Sequence, residues 1–139
     1  MLEPQHVTHR KQHRRRGAFR GKASRGGQLA FGTYGLKAIT VCEVNARQIE
    51  AARRAMTHAV ARGGKIWVRI FPHTPVSRKA AEVPMGAGKG SLEYWCAILK
   101  AGTIIFEMDG LPEETAREAL RLAAHKLPVT TRFVTRISH

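Results

Sequence analysis

Ahead of Glu43 the chain holds one acid, Glu3, against a crowd of cations: Arg10, Lys11, Arg14, Arg15, Arg16, Arg20, Lys22 and Arg25. A stretch so basic and so poor in large apolar side chains cannot bury enough surface to offset the entropy of ordering it, and it repels itself in water. Only the rest of the chain is free to build a core. With 139 residues in all, that remainder has room for one ordinary domain. The sequence therefore divides into a basic arm over residues 1–28 and a globular domain over residues 29–139. The arm needs a polyanion to order it, and a net charge of +14 makes nucleic acid the leading partner. Charge alone does not say which nucleic acid.

The charge is graded along the chain. Through Thr40 there are nine of the 24 lysines and arginines and a single acid, whereas from Ala101 onward Arg117, Arg121, Lys126, Arg132 and Arg136 balance Glu107, Asp109, Glu113, Glu114 and Glu118. Contact with a polyanion is expected in the N-terminal and middle parts, with the C-terminal part as scaffold. Apolar runs such as Trp95 to Leu99 fall far short of the ~20 residues of a membrane span, so no membrane partner is expected. Cys42 and Cys96 sit in separate apolar segments outside any CxxC pair, which reads as buried free thiols in a reducing compartment. The N-terminus shares its basic, acid-poor composition with a transit peptide, but it has no apolar h-region and is broken by Pro4 and several glycines, so a cleaved presequence is not expected.

Two helices can be placed. The first opens at Asn45 with Gln48 three residues on, a capping box, and Gly63 and Gly64 close it. Ile49, Ala52, Met56, Ala59 and Val60 form its buried stripe, while Arg47, Arg53, Arg54 and Arg62 lie off it. The second starts near Pro112, carries Glu113 and Glu114 in its first turn and ends with His125 and Lys126 before Pro128, charges that complement the helix dipole. Its core side is Ala116, Ala119, Leu120, Ala123 and Leu127. Strand-like segments are Leu36 to Val44, Lys65 to Phe71, Ser77 to Val83, Glu93 to Leu99, Thr103 to Met108 and Thr130 to Ile137. Turns fall at Phe71–Pro75, Gly86–Gly90, Ala101-Gly102 and Asp109–Pro112. Strands interleaved with two helices argue for an α+β fold, a mixed or antiparallel sheet with its helices on one side.

The basic tail reads as an arm threading along phosphates, with Gly17, Gly21, Gly26 and Gly27 allowing it to bend. His6, His9 and His13 have metal-compatible spacing but no fourth ligand, and read more simply as further phosphate or base contacts. The run Met85 to Ser91 invites comparison with a phosphate-binding loop, and the pattern fails: Val83 stands where its first glycine is needed, Gly90 follows Lys89, and a strand rather than a helix comes next. A basic loop around Lys89 approaching RNA fits better, its glycines allowing close backbone approach. On the first helix Glu50 can pair with Arg54, so not every arginine there is free for phosphate. Trp67, Arg69 and Phe71 alternate and offer either a stacking platform or ordinary core. For catalysis little is on offer: Asp109 is the only aspartate, and nothing pairs a nucleophile with a base. No enzyme, metal or cofactor is expected. An rRNA-binding structural protein, a free nucleic-acid chaperone and an enzyme using the glycine loop remain the alternatives.

Several blocks in order narrow these. Phe31 to Ala38, Ala46 to Met56 and Gly64 to Pro72, followed by Met85-Gly86 with Gly88-Lys89-Gly90, Glu93-Tyr94-Trp95, Phe106 to Gly110 and Lys126-Leu127-Pro128, resemble bacterial-type large-subunit ribosomal protein sixteen over nearly the whole chain. The resemblance implies a compact α+β domain with a basic extension, embedded in large-subunit rRNA among neighbouring ribosomal proteins. It also implies a place in the cytoplasmic ribosome, with an organellar ribosome as the alternative, beside the A-site tRNA, with the P-site tRNA as a further candidate, near the peptidyl transferase region. The likeness puts the arm from Arg10 to Arg25, the helix arginines Arg47, Arg53 and Arg54, and the loop around Lys89 against rRNA or tRNA. Two positions depart from it. Many relatives carry an arginine before the Met-Gly of the loop, hydroxylated in some, where this chain has Pro84, so that modification cannot occur here. Ala87 replaces another small or basic residue, leaving the loop fewer charges for tRNA.

Overall fold

The computed structural model describes residues 2–6, 21–61, 63–78 and 89–136. In chain order its elements are β1 (Tyr34–Ala38), β2 (Cys42–Asn45), α1 (Ala46–Val60), β3 (Lys65–Val68), β4 (Thr74–Arg78), β5 (Ser91–Leu99), β6 (Ile104–Asp109), α2 (Glu113–Ala124) and β7 (Thr131–Thr135). Among the described residues no helix is long and apolar enough to cross a membrane.

Helix α1 starts where its cap is written. The Asn45 Oδ1 accepts from the Gln48 amide and the Gln48 Oε1 accepts from the Asn45 amide, each at 2.9 Å, so two N-terminal amides are satisfied reciprocally. Ala46, Ile49, Ala52, Met56 and Val60 are buried, with Ala59 half-buried against the core. The helix ends differently from the expectation. The left-handed C-cap residue is Ala61, at φ 47° and ψ 54°, and the Gly63 amide bonds the Val60 carbonyl at 2.9 Å, so the two glycines follow the cap rather than form it. Helix α2 has Pro112 at its N-cap without a side-chain cap bond. Glu113 and Glu114 instead set negative charge at the positive end of the dipole. Ala116, Ala119, Leu120 and Ala123 are buried, and α1 and α2 pack on each other.

The strands make two sheets where one was expected, four-stranded in the order β3-β6-β1-β7 and three-stranded in the order β2-β5-β4. Every neighbouring pair is antiparallel. The segment Leu36 to Val44 is accordingly not one strand. The chain leaves the first sheet after Ala38 and enters the second at Cys42, because β1 lies between β6 and β7 while β2 pairs with β5. Alternation along a segment reports its two faces and says nothing about its partner. For the same reason the Ala101-Gly102 turn joins one sheet to the other rather than closing a hairpin. Thr74 and Pro75, expected in a turn, open β4 opposite Cys96 and Trp95, where Pro is tolerated because β4 is an edge strand. Positions 79–83 of the expected Ser77 to Val83 strand, and 86–88 of the glycine run, lie outside the described residues.

Strand β6 organises the core. Leu36 pairs with Phe106 and Lys37 with Ile104, so Ile105 is an extra residue that re-aims the strand. Ile105, Phe106 and Met108 thereby all join the cluster formed with Leu36, Ile49, Met56 and Leu120. Ile104 and Glu107 do not belong to that cluster, although both are fully buried. Cys96 is buried and Cys42 only half-buried, both free; burial pushes the Cys42 thiol pKa up, partly opposed by its bond to the Glu43 carbonyl.

Candidate nucleic-acid interface

One face of the four-stranded sheet belongs to the helices, and the other is built from Gly35, Trp67 and Glu107, which stand opposite one another in the register. Residues 29–32 cross this second face. The Gly35 position explains how they fit, since a Cβ there would fall 2.4 Å from Leu29 Cδ2, and one at Gly32 would fall 2.6 Å from the Met108 carbonyl oxygen. Glu107 then fastens the crossing. Its Oε1 accepts the backbone amides of Ala30 (3.0 Å), Phe31 (3.0 Å) and Gly32 (2.9 Å), while Oε2 takes the Arg69 guanidinium. Arg69 also donates to the Gln28 carbonyl at 3.3 Å. Burial by itself would push the Glu107 carboxyl up; the Gly32 amide, the Arg69 guanidinium and the amides of Phe31 and Ala30 outweigh it and hold the carboxyl below its ordinary value. The Phe31 ring stacks on Trp67 with centroids 6.0 Å apart, and the Arg69 guanidinium carbon lies 5.4 Å from its centroid.

Toward the β7 edge the same face is cationic. Lys37 stands directly opposite Arg132 in the β1–β7 register, and Lys22 and Lys37 line one shallow depression floored by Ile39 and Gly102. Lys22 is held there by a parallel bridge to Ala101, by the Ala23 amide on the Ala101 carbonyl at 2.8 Å, and by the Ile104 amide on the Gly26 carbonyl at 2.8 Å. Like charges placed opposite each other across a strand pair repel. Among the described residues neither Lys37 nor Arg132 has an ion-pair partner, whereas Arg117 pairs with Glu113 and Arg121 with Glu118 on α2. Two of the acids of the C-terminal part are paired within α2, a third, Glu107, pairs with Arg69, and Arg132 stands on this face opposite Lys37.

Of the site residues expected from sequence, Lys22 and Arg25 are exposed at the root of the arm, Arg47 and Arg54 are exposed on α1, and Lys89 is exposed just ahead of β5. Arg10, Lys11, Arg14, Arg15, Arg16 and Arg20 lie outside the described residues, as do Arg62, Pro84, Ala87, His9 and His13. Helix α1 is less free than expected. Arg53 grips Glu50 through Nε at 3.0 Å and Nη2 at 2.5 Å, and Arg54 Nε reaches the same carboxylate at 3.2 Å. The hydrogen bond from Arg53 is the main reason the Glu50 carboxyl is lowered to about 2. The aromatic platform also differs in membership: Phe31, not Phe71, stacks with Trp67, and Phe71 lines a separate groove with Leu2, Ile49 and Arg53. Among the described residues no cluster of three or more His, Cys, Asp or Glu could hold a metal. Asp109 is engaged by the Thr33 hydroxyl at 2.8 Å, the main cause holding its carboxyl below the usual value. Sequence reading missed Glu107. Its signal was one acid inside the otherwise apolar run Ile104 to Met108.

Helices behind an antiparallel sheet whose other face carries cations and an aromatic stack define a small basic-surfaced α+β protein. Residues 4–134 match the model of the family described as Ribosomal protein L16p/L10e. The chain is also 55% identical over 136 residues, 98% of its own length and 93% of the relative's, to the "Large ribosomal subunit protein uL16" of Macrococcus caseolyticus (strain JCSC5402). This chain belongs to the ribosomal protein L16p/L10e family.

Proposed function

We propose that this chain, a large-subunit ribosomal protein of the cytoplasmic ribosome, binds large-subunit rRNA through its arm and the open face of its four-stranded sheet. It presents the loop around Lys89 toward A-site tRNA near the peptidyl transferase region. Its role is architectural, supporting subunit assembly and tRNA positioning, and it carries out no reaction of its own. The arm of residues 1–28 supplies Arg10, Lys11, Arg14, Arg15, Arg16, Arg20, Lys22 and Arg25 to phosphates; the domain of residues 29–139 adds Arg47, Lys89 and the open face. Arg53 and Arg54 reach phosphate in competition with Glu50.

The observation that carries this reading is the Lys37–Arg132 juxtaposition beside Lys22. A repulsive pair persists on a folded surface when an external anion compensates it, and RNA phosphate does so. The test exploits two opposite signs. Arg132→Glu creates an attractive cross-strand pair and is predicted to stabilise the free protein by about 0.2 to 1 kcal/mol. The same change should weaken binding to a large-subunit rRNA fragment and reduce the logarithmic salt slope by about 0.7 to 0.9. Unchanged affinity and slope would show that this face does not meet phosphate.

A further inference from the structure

Phe31 combines two properties that seldom coexist: it is 58% exposed, the most exposed of the large hydrophobic side chains on the described surface, and its backbone is among the most firmly held. The amides of residues 30, 31 and 32 all bond one buried carboxylate oxygen, and a Cβ at Gly32 would fall 2.6 Å from the Met108 carbonyl oxygen of the sheet backbone. Its ring rests on Trp67 at an interplanar angle of 20° and beside Arg69. With both supports in place, more than half of the Phe31 residue stays exposed to solvent. We infer that Phe31 is a preformed stacking platform for one unpaired nucleobase of the bound RNA, positioned by Glu107. This rests on the reading that RNA covers the open sheet face, and adds to it a contact that is neither ionic nor to phosphate.

The surroundings decide the occupant. Beside Phe31 stands the Arg69 guanidinium, and charged side chains are depleted from the core of a protein–protein interface. Toward the β7 edge the same face carries Lys37 and Arg132, suited to phosphates of the strand that brings a stacked base. A base inside a duplex has no free π-face, so the partner is a nucleotide in a loop, bulge or single strand. Rigid mounting matters because a ring already fixed in place loses little freedom when a base covers it.

The experiment compares the full-length wild type with Phe31→Leu and Phe31→Tyr for binding to large-subunit rRNA across a salt series, with thermal unfolding of each free protein as a control for folding. Stacking on one base is worth roughly 5- to 150-fold in affinity. Phe31→Leu should therefore lose roughly that factor at every salt concentration, with the salt slope unchanged because no charge has been removed. Phe31→Tyr, which keeps the π-face, should bind within about twofold of wild type. Wild-type affinity in the leucine variant would overturn the inference while leaving the rRNA reading intact, and would point instead to an apolar side chain of a neighbouring protein. Equal losses in both variants, or a reduced salt slope, would also overturn it, since either shows that Phe31 acts through shape or charge placement. Failure of the wild type to bind rRNA in preference to other RNAs would remove the underlying reading and the platform with it.

Discussion

Glu107 shows how much one residue can settle. A carboxylate with no solvent exposure is costly unless its lone pairs are filled and its charge is met. Here three amides and one guanidinium do both. The group thereby joins β6, the end of β3 and the crossing at residues 30–32. Removing its charge leaves Arg69, whose side chain is only 19% exposed, without its counter-ion. Glu107→Gln is predicted to destabilise the domain by about 3 kcal/mol at neutral pH, measured by urea unfolding. The pH dependence has a definite sign. Because the folded carboxyl is held below its ordinary value of 4.5, its contribution is fully present above that value and is lost as pH falls through the folded pKa. The gap between wild type and variant should therefore narrow on going from pH 7 to pH 3. A gap of equal size at both pH values would trace the loss to packing rather than to the charge. Glu50, lowered to about 2 mainly by Arg53, is a different case. Arg53 and Arg54 have side chains 42% and 69% exposed, so these pairs add only about 0.3 to 0.5 kcal/mol each. In the proposed rRNA reading, an incoming phosphate has to compete with Glu50 for the two arginines.

At the scale of elements, helix starts and stripes were readable in the sequence, and strand partners were not. Asn45 and Gln48 specify the start of α1 through chemistry confined to four residues, and the spacing of Ile49, Ala52 and Met56 specifies its buried face. Its end differs because Gly63-Gly64 looks like a stop, whereas the helix ends at Val60 with Ala61 already in the left-handed region. An L-residue there pays a steric cost that glycine escapes. Ala61→Gly is predicted to raise stability by about 0.5 to 1 kcal/mol, seen as a higher urea midpoint with the same m-value. A lower midpoint would mean that the helix gains more from the alanine than the left-handed cap costs. The open face was also hidden at this scale. Lys37 and Arg132 are far apart in sequence and meet only through β1–β7 pairing, and Phe31 reaches Trp67 only because residues 29–32 cross the sheet.

At the scale of the whole molecule, charge divides the labour. In the proposed reading the domain fixes geometry, and the N-terminal stretch, whose sequence holds eight lysines and arginines against one acid, supplies the densest positive charge. Simultaneous replacement of Arg14, Arg15 and Arg16 by alanine should weaken rRNA binding and flatten its salt dependence by about 0.7 to 0.9 per lost phosphate contact. The unfolding transition of the free domain should stay within about 0.5 kcal/mol, because these residues precede the core. An unchanged salt slope would take those arginines off the phosphates. A large fall in domain stability would mean that the arm is part of the fold.

The sequence by itself determined the α+β class, the two helices with their buried stripes, the single core and the basic, acid-poor N-terminal stretch. Each depends on local spacing, capping chemistry or total charge, quantities that a linear chain already contains. Tertiary structure alone decided that the strands split into two sheets and that Ile105 bulges from β6. It also decided that Lys37 faces Arg132 and that Glu107 closes the crossing beneath Phe31. Those outcomes depend on which distant segments share a face, and register and burial settle that only when the whole chain packs at once.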